Sequence, residues 1–277
     1  MENPAAVVNL IVDIGNTLTK TALFDAEGFE TEAPVVEFSA GWVDALLQRR
    51  PQIERAIVAS TRGEEVRRRT VELLRRRIGR VVEFTPEVPV PLGNDYATPR
   101  TLGSDRLAAA VAANGLYPGR NVLIVDFGTA VTIDLVTADN TYRGGNIAPG
   151  MQMRFRALHD CTASLPLCGA CDEPVLLGRS TVEAIQAGVL QGMLFEIEGY
   201  IARLQGRCAD LCVIFTGGDA KYFAKRIKNT IFADCNLVFR GLNRILEYNA
   251  SEENPILPGR CGVSPHPGKP FGPDEQH

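Results

Sequence analysis

The feature of this 277-residue sequence that most constrains its fold is a strand-and-turn pattern that occurs twice. The first copy is an apolar run over residues 7–13 that ends in Asp13-Ile-Gly-Asn-Thr17, and the second, over residues 121–126, ends in Asp126-Phe-Gly-Thr129. In each copy an aspartate ends the strand, glycine and threonine follow in the turn, and a second β-rich segment completes a hairpin. The two aspartates are 113 residues apart, a distance that predicts a duplicated domain rather than a solenoid of short repeats.

The rest of the pattern predicts an α/β fold in two similar halves. With 45% hydrophobic and 22% charged residues, the chain has the composition of a globular protein with one large or two small domains. We predict a first half over residues 1–118, a second over 119–250, and a disordered tail over 251–277, where six prolines and four glycines occur. Besides the hairpins, strands are predicted at 35–38, 56–59, 81–84 and 211–215, helices at 43–50, 64–78, 104–116, 181–204 and 242–248, and a functional or lid-like loop at 86–99.

Charge and hydropathy exclude several functional classes. With 29 Lys and Arg against 33 Asp and Glu, the net charge of −4 lacks the concentrated positive field that nucleic-acid binding requires. The arginine-rich stretch at residues 49–80 also carries acidic residues at helical spacing, which favours a solvated helix face over a nucleic-acid patch. No apolar run reaches membrane-spanning length and no signal peptide is visible, so we expect a cytoplasmic protein without membrane contact.

Cysteine and histidine give little support for disulfides, metal sites or a catalytic triad. Seven cysteines in a long chain predict reduced thiols rather than a disulfide framework. A zinc site built from Cys168, Cys171, Cys208 and Cys212 stays conceivable, although a single C-x-x-C motif is weak evidence for one. Only three histidines are present, two of them in the tail, so a Ser-His-Asp triad is disfavoured.

The repeated turns have the chemistry of a phosphate site. Glycine after a strand lets the backbone turn tightly and present N–H groups to an anion, and the threonines add hydroxyl donors. Lys20 can place a positive charge on a phosphate oxygen, and the two aspartates can hold a hard cation. One such turn is more often a simple hairpin, whereas two copies in similar half-chains favour a function, and a third glycine turn follows at residues 216–219. Because neither a Walker A nor a G-x-G-x-x-G motif occurs, the duplicated hairpins indicate the actin/hexokinase-like architecture.

A second cluster, at residues 96–106, has the residues for phosphoryl transfer to an alcohol. Such a transfer needs positioning, charge neutralisation and a carboxylate that accepts the hydroxyl proton. Asp105, at the start of a predicted helix, fits the base, and Arg106 fits an anionic group of the substrate or of the transferred phosphate. From these residues alone, a purely structural role for Ser104 or Asp105 as a helix N-cap is slightly favoured.

Taken together, the motifs resemble those of the type III pantothenate kinases. They follow the family's order over residues 13–218, which is most of the chain, and although each is short, the ordered set is specific. The matching segments are Asp13-Ile-Gly-Asn-Thr17 with Lys20, Gly103-Ser-Asp-Arg106, Asp126-Phe-Gly-Thr-Ala-Val-Thr132, Gly144-Gly-Asn-Ile-Ala-Pro-Gly150, Ser164-Leu-Pro166, residues 178–188 and Thr216-Gly-Gly218. The proline-rich tail and the Cys168–Cys171 segment are additions to the family's pattern.

The resemblance implies a duplicated two-domain fold of the actin/hexokinase, ribonuclease H-like type. It also implies ATP-dependent phosphorylation of pantothenate at its terminal hydroxyl, the first step toward coenzyme A, with Asp105 as general base. Mg²⁺ bound with ATP would lie at Asp13, and a monovalent cation, K⁺ or NH₄⁺, at Asp126. The implied ATP-binding residues are Asp13, Ile14, Gly15, Asn16, Thr17, Leu18, Thr19, Lys20 and Thr129, and the implied pantothenate-binding residues are Tyr96, Gly103, Ser104, Asp105, Arg106 and Thr181.

Two other functions stay open at this point. One is a kinase of the same fold that acts on another small alcohol, and the other is a non-catalytic accessory factor for transcription, a role described for some relatives of the family. Retention of every residue proposed for the base and the phosphate turns favours catalysis. The resemblance also implies a homodimer, and a stripe of Ala184, Gly188 and Gly192 fits either a dimer interface or close helix packing within the chain.

Overall fold

The computed structural model describes residues 7–15, 18–26, 28–31, 38–228 and 232–251. Its strands are β1 (Val8–Ile14), β2 (Thr19–Phe24), β3 (Phe29–Thr31), β4 (Ile53–Ser60), β5 (Arg80–Glu83), β6 (Gly93–Asn94), β7 (Val122–Phe127), β8 (Ala130–Thr137), β9 (Thr141–Pro149), β10 (Cys212–Thr216) and β11 (Phe232–Ala233). Its helices are α1 (Ala40–Arg49), α2 (Glu64–Arg75), α3 (Ser104–Leu116), α4 (Met151–Asp160), α5 (Thr181–Gln205), α6 (Ala220–Ala224) and α7 (Leu237–Ala250).

The strands form two mixed sheets with the same strand order. The first sheet runs β3-β2-β1-β4-β5, and the second runs β9-β8-β7-β10-β11, with β6 added beside β9. In each sheet the central strand, β1 or β7, is antiparallel to its hairpin partner and parallel to a strand that follows helices. The sequence repeat is therefore also a repeat of topology. The boundary at residue 118 stays a prediction, because β6, from the predicted first half, joins the second sheet.

The sheets and helices form five layers, which are held together by three apolar cores. Alternating residues of β1 face opposite sides, as the twofold period of a strand requires: Leu10 and Val12 pack with α1 and α2, whereas Ile11 packs in the central core. The central core contains the buried faces of α3 and α7 and lies between the two sheets. The opposite face of the second sheet is covered by α4, α5 and α6. Burial on both faces explains why the central strands are almost continuous apolar runs.

The two helices of the middle layer approach each other very closely. A Cβ atom on Gly241 of α7 would overlap the backbone carbonyl of Ala108 on α3. Five alanines of α3 are buried along the same stretch of helix, which keeps its surface low enough for this contact. Because α3 begins at Ser104, this packed pair fixes the position of the helix end that carries Asp105 and Arg106.

Most predicted elements are confirmed, and the differences have local causes. The third strand is Phe29–Thr31, whereas the strand predicted at 35–38 falls mainly on residues outside the described part of the chain. Helix α7 begins at Leu237, five residues before its predicted start, and α4, α6 and the two-residue strands β6 and β11 were not predicted. The predicted tail lies outside the described residues beyond Ser251.

The loop predicted at residues 86–99 is packed against the body of the protein. Leu92 is buried, and Val88 and Val90 pack against the central core. Gly93 and Asn94 pair with β9, which brings the following residue pair, Asp95 and Tyr96, to the edge of the second sheet. Within the described ranges, no helix combines the length and the apolar character needed to cross a membrane.

Candidate active site

The two hairpin turns lie at the ends of the central strands, where the sequence repeat predicted them. Asp13 pairs with Lys20 across the first hairpin, and Asp126 pairs with Thr132 across the second. The first turn is closed by a bond from the Gly15 N–H to the Leu18 carbonyl, 3.1 Å, and the second by a bond from the Gly128 N–H to the Ala130 carbonyl, 3.2 Å. The first turn is thus one residue longer, although the strand ends correspond.

The two hairpins and the start of α3 lie near enough for their charges to act on one another. Burial raises the pKa of Asp13 to about 6, the charge of Asp105 adds to the rise, and Lys20 opposes it. Burial likewise raises the pKa of Asp126 to about 7, with the same contributions from Asp105 and Lys20 and a smaller one from Asp13. Three carboxyl groups from two sheets and the central layer therefore repel one another around Lys20. A bound cation would relieve this repulsion.

The glycine turn after β10 packs directly against Asp126. Gly217 has a φ of +90°, and a Cβ atom there would overlap Asp126 Oδ1 and lie 2.6 Å from the Phe127 carbonyl carbon. The Asp219 N–H donates to the Phe127 carbonyl at 3.1 Å, which ties this turn to the second hairpin. A glycine is required at position 217 because it combines a left-handed backbone with contact against a carboxylate.

The donor set fits magnesium bound with a nucleotide phosphate better than a metal held by protein alone. Among the described residues, no three His, Cys, Asp or Glu side chains come together as a metal cluster. Mg²⁺ commonly uses one or two carboxylates and completes its shell with phosphate oxygens and water. Asp13 and Asp126, with raised pKa values and hard oxygen donors, match that pattern.

The first turn of α3 presents Asp105 beside the hairpins. The Asp105 carboxylate accepts the Arg106 N–H at 2.8 Å, and the side chain is half-buried. The N-cap is Gly103, with no side-chain bond to the helix, so the alternative role of Ser104 or Asp105 as N-cap is wrong. A Cβ atom on Gly103 would lie 2.6 Å from Asp105 Oδ1, which shows how closely the preceding backbone passes the carboxylate.

Arg106 is held by a buried network that the sequence did not reveal. Its Nε donates to Asp134 Oδ1 at 3.0 Å and its Nη2 to the same oxygen at 2.6 Å. The Tyr142 hydroxyl also donates to Asp134 Oδ1, at 2.7 Å. The Arg106 guanidinium lies 5.6 Å from the centre of the Tyr96 ring, so Tyr96 and Arg106, two of the predicted substrate residues, are brought together. The signal in the sequence was an acidic residue, Asp134, inside the otherwise apolar second strand of the second predicted hairpin.

The predicted nucleotide-binding residues differ in how far their side chains are exposed to a ligand. Lys20 and Thr129 are exposed, Gly15 and Leu18 are half-buried, and Asn16 and Thr17 lie outside the described residues. The side chains of Ile14 and Thr19 are buried, so any contact they make with ATP must come from their backbone.

Thr181, a predicted substrate residue, is exposed at the first position of α5. No hydrogen bond, ion pair or ring contact within the described ranges joins it to Tyr96, Asp105 or Arg106. The start of α5 is nonetheless well defined. Ser180 Oγ accepts the Glu183 N–H at 3.3 Å, and Glu183 Oε2 accepts the Arg179 N–H at 2.7 Å.

The remaining sequence candidates do not join the site. Cys168 and Cys171 are half-buried, Cys208 and Cys212 are buried, and all four are free thiols. They are not brought together as metal ligands within the described ranges. On the stretch predicted as a solvated face, Arg67 pairs with Glu83 at 3.0 Å, and Arg69 also has an acidic partner, Glu65.

Several large apolar side chains are exposed on α5 and on the segment that precedes it. The exposed fractions are 67% for Leu176, 83% for Leu177, 45% for Val182 and 55% for Phe195. A Cβ atom on Gly188 would meet no atom within 4 Å, so the small-residue stripe of α5 is not needed for packing at that position. We name these residues the α5 face.

Comparison with protein families and curated proteins identifies close relatives. A family model described as type III pantothenate kinase matches residues 9–203. The type III pantothenate kinase of Phocaeicola vulgatus is 47% identical over 244 residues, covering 87% of this chain and 99% of that protein. The type III pantothenate kinase of Christiangramia forsetii is 39% identical over 246 residues, covering 88% of this chain and all of that protein.

Solved structures agree on the fold. A Campylobacter jejuni protein described as a Baf family transcriptional activator matches with a TM-score of 0.57 and 21% identity, covering 87% of this chain and 98% of that one. A Sinorhizobium meliloti protein described as a 2-dehydro-3-deoxygalactonokinase matches with a TM-score of 0.54 and 13% identity, with the same coverage. The predicted duplicated α/β fold of the actin/hexokinase-like type is confirmed by these neighbours and by the two equivalent sheets.

Proposed function

The chain belongs to the type III pantothenate kinase family, and we propose that its three-carboxylate site transfers the γ-phosphoryl group of ATP to the terminal hydroxyl of pantothenate, yielding 4′-phosphopantothenate and ADP. One observation carries the proposal for the site. The charges of Asp13, Asp105, Asp126 and Lys20 act on one another, although these residues come from different layers of the fold. Phosphoryl transfer depends mainly on positioning and charge stabilisation, which this convergence supplies.

We assign the proton transfer to Asp105. The pantothenate hydroxyl oxygen forms a bond to the γ-phosphorus while the bond from that phosphorus to the bridging oxygen of ADP breaks. The hydroxyl proton passes to the Asp105 carboxylate, which is half-buried at the start of α3.

The two hairpin turns hold the phosphates. Gly15 and Gly128 close the two turns, and the exposed Lys20 and Thr129 offer a charge and a hydroxyl group to the phosphates. Mg²⁺ bound with ATP near Asp13 would supply charge neutralisation for the transferred group, and Asp126 would hold the monovalent cation. The crowded negative charge at these two aspartates supports both assignments.

Pantothenate binds on the other side of Asp105, along Gly103, Ser104, Arg106 and Tyr96. Arg106 suits the carboxylate of this substrate because a guanidinium is always charged and presents several donors. The ring of Tyr96, half-buried beside the guanidinium, forms an amphipathic wall of the same subsite. Thr181 completes the substrate set in this proposal.

The α5 face supports a homodimer. Four large apolar side chains are exposed on α5 and on the segment before it, and exposed apolar surface often marks a partner interface. We also propose a cytoplasmic location, because the kinase needs the compartment that supplies ATP.

The alternatives have less support. A kinase acting on a different small alcohol is disfavoured by relatives of 36–47% identity that share one name over nearly their whole length. The transcriptional description comes with a neighbour of 21% identity, which supports the fold alone.

An assay of ADP release tests the activity. The enzyme with ATP, Mg²⁺ and pantothenate should turn over only when pantothenate is present, and K⁺ or NH₄⁺ should increase the rate. Absence of pantothenate-dependent turnover with either cation would refute the proposal.

Replacement of the base tests the mechanism. Asp105→Asn should lower kcat by about 10²–10⁴-fold, the usual effect of losing a general base. Asp160→Asn, at the exposed end of α4, is the matched control and should keep wild-type kcat. A wild-type rate for Asp105→Asn would remove Asp105 from the role of base.

A further inference from the structure

The pair of Arg106 and Asp134 is a deeply buried ion pair that links two layers of the fold. Their side chains are 5% and 1% exposed, whereas the other ion pairs of the described residues are more accessible. Arg106 lies on α3 next to the proposed base, and Asp134 lies on β8 of the second sheet. None of the sequence motifs included Asp134.

The geometry leaves part of the guanidinium for another partner. Asp134 receives Nε and Nη2 of Arg106, so both N–H groups of Nη1 lie outside this ion pair. Asp134 is oriented in turn by the hydroxyl of Tyr142, whose side chain is fully buried. Burial and the Asp134 charge raise the pKa of Tyr142, so the phenol keeps the proton that it donates.

The backbone of β9 leaves space for this network. A Cβ atom on Gly145 would lie 2.5 Å from Asp134 Oδ1. Gly144 has a φ of +104°, and a Cβ atom there would touch the Tyr96 ring at 3.7 Å. The two glycines of the family motif therefore serve the carboxylate and the aromatic ring that surround Arg106.

The ion pair is better explained by orientation than by stability. A buried ion pair often stabilises a fold no more than apolar residues of similar size, because both charges must be desolvated. A guanidinium held on one edge, in contrast, has a fixed direction for its remaining donors. In this chain, the guanidinium with the fixed direction belongs to Arg106, which directly follows the proposed base, Asp105.

We propose that Asp134 is a positioning residue, which with Tyr142 orients Arg106 to receive the carboxylate of pantothenate. This inference rests on the proposed function, and it concerns the residue behind the substrate site rather than the site itself. It makes substrate binding depend on a side chain that has no contact with substrate. ATP binding, through the hairpin turns, should not depend on it.

Steady-state kinetics of Asp134→Asn and Tyr142→Phe test the proposal. Asp134→Asn should raise the KM for pantothenate about tenfold to a hundredfold, the scale expected for a misplaced binding group, while the KM for ATP stays within twofold. Tyr142→Phe keeps the ring and should raise the KM for pantothenate by a smaller factor, about threefold. It covers the case in which Asp134→Asn does not fold, and an unchanged KM for Tyr142→Phe would overturn the proposal.

A double variant shows whether Asp134 acts through Arg106. Arg106→Lys should raise the KM for pantothenate, and Asp134→Asn added to it should cause little further increase. Additive increases, or equal increases in the KM values for pantothenate and ATP, would identify a merely structural ion pair. Asp234→Asn, which removes the partner of Arg240 at 2.9 Å, is the matched control and should change the melting temperature without changing the KM for pantothenate.

Turnover by the wild-type enzyme distinguishes failure of the proposed kinase function from failure of the positioning role of Asp134. No pantothenate-dependent turnover by the wild type would refute the proposed function and this inference with it. Normal turnover by the wild type with an unchanged KM for pantothenate in Tyr142→Phe would refute the inference alone.

Discussion

At the scale of single residues, two aspartates of the candidate site have pKa values that lower the stability of the ligand-free fold near neutral pH. Asp13 and Asp126 have raised pKa values because burial and Asp105 disfavour their charged forms. A carboxyl group whose pKa is higher in the folded chain stabilises the fold most at low pH, and this contribution is lost as pH rises through the folded pKa. The ligand-free protein is therefore destabilised by these groups near neutral pH.

Asp126→Asn should relieve this destabilisation in a pH-dependent way. Between pH 5.5 and 8.5, which spans the folded pKa of about 7, the variant should gain stability relative to the wild type. Chemical unfolding at several pH values measures the difference. Asp44→Asn is the control: the hydrogen bond from Arg77 lowers the Asp44 pKa, so its difference from the wild type should stay constant over the same range. A pH-independent difference for Asp126→Asn would contradict the raised pKa.

Gly217→Ala should disrupt the turn that packs on Asp126. The new methyl group would meet the carboxylate and the Phe127 backbone in a left-handed conformation, at a cost of about 1–3 kcal/mol of unfolding free energy. Thermal unfolding should show this loss. Gly218→Ala is the matched control, because a Cβ atom at Gly218 meets nothing within 4 Å and its melting temperature should be near wild type.

The residues of the site were only partly predictable. Asp13, Asp105 and Asp126 stand out because each combines an acidic side chain with a strand end or helix start, which is a local pattern. Asp134 does not, because its importance comes from contact with Arg106, 28 residues away, and from the Tyr142 hydroxyl. Contacts of this kind depend on which strands become neighbours.

At the scale of elements, Gly241 shows why α7 was predicted too short. Glycine is unfavourable inside a helix, and the predicted start at residue 242 lies directly after it. The structure continues through Gly241, since contact with Ala108 of α3 leaves no room for a side chain. Tertiary packing thus overrides local propensity. The five-residue α6 was missed for a different reason, because it is too short to show a helical period.

Gly241→Ala should therefore destabilise the middle layer despite its better helix propensity. Forcing a methyl group against the α3 backbone should cost about 1–3 kcal/mol, as overpacking of a core usually does. Gly41→Ala in α1 provides the comparison, because an added Cβ there meets nothing and should leave stability unchanged or slightly higher. Equal melting temperatures for Gly241→Ala and the wild type would show that the α3–α7 contact is looser than described.

At the scale of the whole molecule, the α5 face predicts a dimer that one charge should weaken. Phe195→Asp places a charge at an exposed apolar residue of α5 and should shift the mass from dimer toward monomer in light scattering after size exclusion. Leu116→Asp, which alters a 46% exposed leucine at the end of α3, should keep the wild-type mass. A wild-type protein that is monomeric at micromolar concentration would refute the proposed dimer.

The duplicated topology was predictable because it repeats in the sequence, but the position of one sheet relative to the other was not. That position depends on α3 and α7, which fill the space between the sheets. Their fit rests on the contact between Gly241 and Ala108 and on buried alanines, which look like ordinary helix residues in the sequence.

The ion pair between Arg106 and Asp134 joins α3 to β8, so the proposed reacting groups are attached to two different sheets. Through Arg106 and Asp134, the proposed base and the proposed substrate subsite are attached to the second sheet, while Asp13 and Lys20 belong to the first. The acceptor and one of the two phosphate turns are therefore carried by different bodies. The proposed in-line transfer therefore depends on the angle between the two sheets, which the closely packed α3 and α7 hold in place.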